Sequence, residues 1–96
     1  MATVTVTFFR PAQYEGFGVI GNVSDSETLT SAGTSGASTA SAEQGDIARI
    51  TVSGGNVHVT KGTSPTATTD DALLVDGTTE YFACVYGDKV AIIDAA

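Results

Sequence analysis

From residue 3 to residue 9 the chain alternates, with Val4, Val6 and Phe8 on one face and Thr3, Thr5 and Thr7 on the other. That period-two pattern predicts a strand dry on one side and wet on the other. Pro11 lacks the N–H a ladder needs and is expected to end it. Residues 17 to 23 form a short apolar stretch interrupted by Gly18 and Gly21, which predicts a strand with a bulge or a close backbone approach. Residues 27 to 30 read as a brief strand. Between Leu29 and Ile47 there is no large apolar side chain, so residues 31 to 45 are expected to be a low-complexity loop, exposed arm or thin edge strand that adds little to a core.

The second half is clearer. Residues 47 to 53 and 57 to 61 flank Gly54-Gly55-Asn56, which tolerates positive φ, and the spacing predicts a hairpin with Ile50 and Val52 on one face and Val57 and Val59 on another. Residues 62 to 71 make a turn-rich loop, in which Ser and Asp side chains bond local backbone. Residues 72–75, 79–85 and 89–94 then read as three strands, with turns at Asp76-Gly77 and Gly87-Asp88. The last two strands are apolar on both faces. One face is expected to meet the domain core and the other a neighbouring chain or a covering loop.

About seven short strands, frequent turns and no helical period predict a single all-β domain, an antiparallel β-sandwich or small barrel of jelly-roll-like type. Composition agrees: Thr occurs 15 times and Val 10 times in 96 residues, and β-branched side chains suit a pleated surface. No internal repeat argues for a solenoid.

Charge and chemistry narrow the function. Eleven acidic against four basic residues give a net charge of −7, which repels nucleic-acid phosphates and anionic lipid heads. One cysteine excludes an intramolecular disulfide, and one Cys with one His cannot complete a zinc site. The amino-terminal residues lack the basic start and apolar core of a secretory signal, and no apolar run approaches the ~20 residues of a membrane span, so the chain is expected to stay in the cytoplasm until it assembles.

Four motifs invite chemistry. Gly16-Phe17-Gly18-Val19-Ile20-Gly21 has dinucleotide-fingerprint spacing, but no amphipathic helix and no second βαβ unit follow it. Cys84 and His58 would make a nucleophile and base. The strand pattern instead buries Cys84 as a small apolar group and puts His58 on a wet face. Asp70, Asp71, Asp76 and Glu80 lie close together but lack the alternating calcium-loop spacing, and turn chemistry accounts for them. Asn22-Val23-Ser24 fits a glycosylation acceptor, yet meets no enzyme without secretion. No catalytic residue, cofactor or metal is expected.

The order Gly45-Asp46-Ile47-Ala48-Arg49-Ile50, Val57-His58-Val59-Thr60-Lys61-Gly62, Ser64-Pro65-Thr66-Ala67-Thr68, Glu80-Tyr81-Phe82 and Gly87-Asp88-Lys89-Val90-Ala91-Ile92-Ile93 resembles small structural proteins of tailed bacteriophages. The resemblance covers residues 45 to 96. It implies a β-sandwich that decorates or cements a capsid, with the major capsid protein or another virion protein as partner, a trimer as the preferred self-association, and the virion, assembled in the host cytoplasm, as the location. The other reading within that class is a head-tail adaptor, tail component or fibre-base domain. Contact surfaces are expected at the aromatic-rich corner Phe8, Phe9, Tyr14 and Phe17, helped by the small-residue arm 31–41, with Tyr81 and Ile93 on the two-faced strands serving self-association.

Overall fold

The structure is a computed structural model that describes residues 1–14 and 17–95; the side chains of residues 13–19 lie outside that description. The amino-terminal alternation produces β1 (Thr3–Tyr14), which hairpins with β2 (Phe17–Thr30). Val4, Val6 and Phe8 are fully buried. They stand in register with Val52, Ile50 and Ala48 of β4 (Ile47–Ser53), the strand on the other side of β1.

Pro11 does not end β1. The strand runs three residues beyond it, because β4 stops opposite Phe9 and leaves that side of β1 without a neighbour that needs the missing donor. The register with β2 slips between Phe8 and Phe9 and again between Arg10 and Pro11, so the proline sits at a bulge. Residues 10–14 and 17–22 thus form a two-stranded ribbon that continues past the four-stranded part of the sheet.

The remaining strands are β3 (Gly36–Ala37), β5 (Val57–Gly62), β6 (Ala72–Leu74), β7 (Thr79–Ala83) and β8 (Lys89–Asp94). They complete two antiparallel four-stranded sheets, ordered β2-β1-β4-β7 and β3-β8-β5-β6, which makes the molecule a β-sandwich. Counting β1 as the last strand turns these orders into 1-8-3-6 and 2-7-4-5, the strand order of a jelly roll. The first strand of this chain therefore occupies the place a jelly roll gives its final strand. The two ends accordingly meet: the Met1 ammonium lies 3.7 Å from Asp94 Oδ1, Ala2 N–H donates to Ser31 Oγ at 2.6 Å, and the Ser31 hydroxyl donates to the Asp94 carboxylate.

The turn at residues 54–56 joins β4 and β5, but these strands belong to different sheets and do not form the expected hairpin. Both have buried positions every second residue, since each faces the same core from its own side. A tight glycine turn serves a corner between sheets as well as a hairpin, so the pattern does not separate the two. Here the corner is fixed by Asp76, whose Oδ1 accepts from Gly54 N–H and whose N–H donates to Asn56 Oδ1, both at 2.8 Å.

Residues 31–45 are not a free arm. Ser38 N–H donates to Val90 O at 2.7 Å and Ala42 N–H to Asp88 O at 2.8 Å. Ser38 Oγ accepts from Val90 N–H. One oxygen of Glu27, on β2, accepts from the N–H groups of Thr39 and Ala40 at 2.9 and 2.8 Å. Ala40 and Ala42 join the hydrophobic core, so the segment closes the side of the sandwich where β2 and β3 are the edges. Its small side chains allow this close approach, and hydrogen bonds replace the missing apolar bulk.

Of the two strands expected to be covered on both faces, β7 is mostly exposed, whereas β8 is buried on its core face and at Ala91 on the other. Val90 and Ile92 enter the main core, while Ala91 is buried on the opposite face of β8. The loop 63–71 crosses that outer face: Ala67 N–H donates to Ser35 Oγ beside β3, and Asp71 O bonds His58 Nδ1 on β5, at 2.8 and 2.9 Å.

Candidate functional site

The outward face of the β1-containing sheet has two halves. One is a grid of hydroxyls, in which Thr28, Thr5, Thr51 and Thr79 stand in one row across the four strands. Their oxygens pair side to side, Thr51 with Thr79 at 3.2 Å and Thr5 with Thr28 at 3.4 Å. The other half begins at the row Val23, Phe9, Ile47 and Ala83, and is apolar. Tyr81 stands in the row between, beside Arg49, and is 58% exposed.

The residues singled out as contact candidates fall in different environments. Phe8 is fully enclosed and has no surface to offer a partner. Phe9 is only 3% exposed on the outward face, where its ring meets Tyr81. Tyr14 and Phe17 stand opposite each other in the backbone register at the end of the ribbon, and their side chains lie outside the described residues. Ile93 is half-buried on β8, a strand enclosed between β3 and β5. Of the six residues only Tyr81 is a described, exposed aromatic.

The sequence reading puts Val85 at the end of a strand over residues 79–85 and names neither it nor Tyr86 as a contact residue. Val85 and Tyr86 are 67% and 69% exposed, because β7 ends at Ala83 and the chain leaves the sheet. The signal was the Gly87-Asp88 turn, since side chains flanking a tight turn are surface side chains. This connection is well fixed: Asp88 Oδ2 accepts from Val85 N–H at 2.9 Å and from the Lys61 ammonium at 3.3 Å, and Gly87, at φ 87°, donates its N–H to Ala42 O. Tyr81, Val85 and Tyr86 are thus three large exposed side chains within six residues on a rigid support.

The candidate chemical groups are arranged as structural elements. Burial, then the charge of Asp88, pushes the Cys84 thiol up, and Lys61 opposes this only in part. A protonated thiol is a poor nucleophile. His58 sits on the other sheet, its Nδ1 held by Asp71 O. Asp71 caps its own loop by accepting from Thr68 N–H, and Asp76 fixes the 54–56 corner. Among the described residues no three His, Cys, Asp or Glu side chains come together as a metal site. Gly18 and Gly21 lie inside extended β2, which provides no helix terminus for a phosphate. Asp46 is buried with Oδ2 accepting from Glu43 N–H, while its Oδ1 has no partner.

No helix among the described residues is long and apolar enough to cross a membrane. No protein-family model, curated protein or solved structure matches the chain.

Proposed function

We propose that this protein is a non-enzymatic structural component of a tailed-phage virion that decorates the capsid and stabilises it by binding the major capsid protein or another virion protein. The observation that carries the reading is the exposure of Tyr81, Val85 and Tyr86, carried by the edge strand β7 and the connection after it, where Asp88 accepts from Val85 N–H. Tyrosines supply contact area at low rotamer cost and keep a polar tip, the chemistry of protein interfaces. Phe9 backs Tyr81 and limits the freedom that binding would otherwise remove. The resemblance over residues 45–96 supplies the phage context, and the charge of −7 directs the surface toward protein rather than nucleic acid.

The test is binding to purified particles that lack the protein. Tyr81→Ala combined with Tyr86→Ala changes two exposed side chains, so the fold is expected to persist while binding weakens by about tenfold or more. Undiminished binding by this variant overturns the contact surface. Quantitative mass spectrometry of native particles tests the role: a copy number on the scale of the shell subunits supports decoration, and a few copies per particle point to an adaptor, tail or fibre-base component.

A further inference from the structure

We propose that Lys61 and Asp88 join covalently in the folded chain, the Lys61 amine and the Asp88 carboxyl forming an amide that ties β5 to the start of β8. Strand parity brings the two together. Val57 and Val59 of β5 and Val90 and Ile92 of β8 are buried in the core. Lys61 and Asp88 continue these two series by one step, with Lys61 opposite Val90, so both lie on the core side at one end of the sandwich. Lys61 Nζ is 3.3 Å from Asp88 Oδ2, and the side chains are 36% and 5% exposed. The carboxyl is also fixed from other sides: Oδ2 accepts from Val85 N–H at 2.9 Å, and Asp88 O accepts from Ala42 N–H at 2.8 Å.

A third group supplies the proton acceptor that such a bond requires. Asp46 is 2% exposed, and among the described residues its Oδ1 is the buried side-chain atom that has no hydrogen-bond partner. Its Oδ2 accepts from Glu43 N–H, and the loop that carries it lies against the 87–88 turn, where Gly87 N–H donates to Ala42 O. The Cys84 thiol feels the charges of Asp88, Lys61 and Asp46 together, which gathers the three around one point. An orphaned oxygen on a buried acid calls for a role.

One ammonium proton of Lys61 passes to the Asp88 carboxylate, which leaves an amine beside a carboxylic acid. The Nζ lone pair attacks Cγ, a second proton leaves Nζ for Asp46 Oδ1, and Asp46 returns it to the departing hydroxyl. The Cγ–O bond breaks, the Cγ–Nζ bond stays, and one water leaves, with no oxidant or reductant involved. Holding both groups in place supplies an effective concentration of about 10⁵ M or more, which the free groups lack in water. The amide also removes two charges from a poorly solvated position.

The intact mass of the denatured parent protein, followed by trypsin digestion, tests the proposal. The expected mass is lower by one water, about 18 Da. Trypsin does not cleave after an acylated lysine, so residues 50–89, whose one internal site is Lys61, are expected as a single fragment that carries the deficit. Lys61→Arg keeps the ion pair without the nucleophilic amine. It is expected to show no water loss and to melt about 5 °C or more below the parent, because a loop of 27 positions is no longer closed. Asp46→Asn is expected to slow the linkage by about a hundredfold, read as the fraction of newly made protein still cleaved at Lys61. A parent of full mass that is cleaved at Lys61 holds only an ion pair and overturns the proposal. So does a water lost at Asp76-Gly77, seen as a deficit in a fragment 62–89 that trypsin has released. Linkage in Asp46→Asn at the parent's rate overturns the part given to Asp46. No particle enters these measurements, so their outcome is separate from that of the particle-binding test.

Discussion

Phe9 and Tyr81 meet edge to face, their ring centroids 6.3 Å apart and their planes at 83°. One ring is covered and the other faces solvent, so the pair joins the packed sheet to its surface. Aromatic pairs of this geometry contribute about 0.5–1.5 kcal/mol beyond the area they bury. Phe9→Leu keeps most of the apolar volume and loses the ring contact. It is expected to lower unfolding free energy by about 1 kcal/mol and to make Tyr81 emission more accessible to a soluble quencher. Unchanged stability and unchanged quenching would show that the pair is incidental.

The carboxylate of Glu27 fastens residues 39 and 40 to β2, and its pKa follows from that role. The Ala40 N–H holds the group below its ordinary value of 4.5; desolvation opposes it, and the hydroxyl and N–H of Thr39 add to the lowering. A depressed folded pKa means a contribution that is complete above that ordinary value and is lost as pH falls through the lower, folded one. Chemical denaturation between about pH 7 and pH 3 should therefore show a decline in the acid range that is shallower in Glu27→Gln. A variant with the same acid slope as the parent would remove Glu27 from this account.

Gly21 permits the bulge that carries the ribbon. A Cβ there would lie 2.8 Å from Arg10 O and 3.0 Å from Ala12 Cβ, closer than packed atoms allow. Gly21→Ala is expected to cost about 1–3 kcal/mol locally. Because the ribbon lies beyond the four-stranded region, amide exchange should quicken in residues 10–22 while the cooperative melt of the sandwich moves little. Equal exchange in parent and variant would mean that the backbone relaxes without loss.

The meeting of the two ends at Asp94 and Ser31 allows the chain to be reordered. Joining the ends with a linker of about five residues and opening the β1–β2 connection should give a folded protein in which β1 is the last strand. Its circular dichroism and melting temperature are expected to stay near those of the parent. An unfolded product would show that the β1–β2 hairpin must form as a local unit.

Clean alternation made some strands readable to the residue. β4 and β8 have the bounds that their apolar periodicity predicts, and the turns at Asp76-Gly77 and Gly87-Asp88 hold positive-φ glycines, 84° and 87°. Partnership was less readable. The signals around residues 54–56 fit a hairpin and an inter-sheet corner equally, because a strand's burial pattern records that it faces a core and not from which side. Pro11 misled for a related reason: its cost depends on whether a neighbour needs its N–H, and β4 stops before it. Residues 31–45 looked uncommitted because their anchors are backbone groups and one distant carboxylate, Glu27. In the candidate site, Tyr81 was legible as an aromatic on a strand and Phe8 was not separable from it, since burial is decided by the opposing sheet.

The connectivity also governs how this molecule comes to exist. The chain changes sheets five times, between β2 and β3, β3 and β4, β4 and β5, β6 and β7, and β7 and β8. Apart from the β1–β2 hairpin and the β5–β6 pair, each strand therefore waits for neighbours distant in sequence. The loop-closure entropy of those pairings must be met before their contacts give anything back. Such a topology folds in roughly milliseconds to seconds rather than microseconds. While β8 is still being made, its place between β3 and β5 is empty, so the second sheet is complete only when the last strand arrives. Folding of the second sheet is thereby tied to the arrival of β8, and chains synthesised only as far as β7 leave β3 and β5 without the strand that joins them.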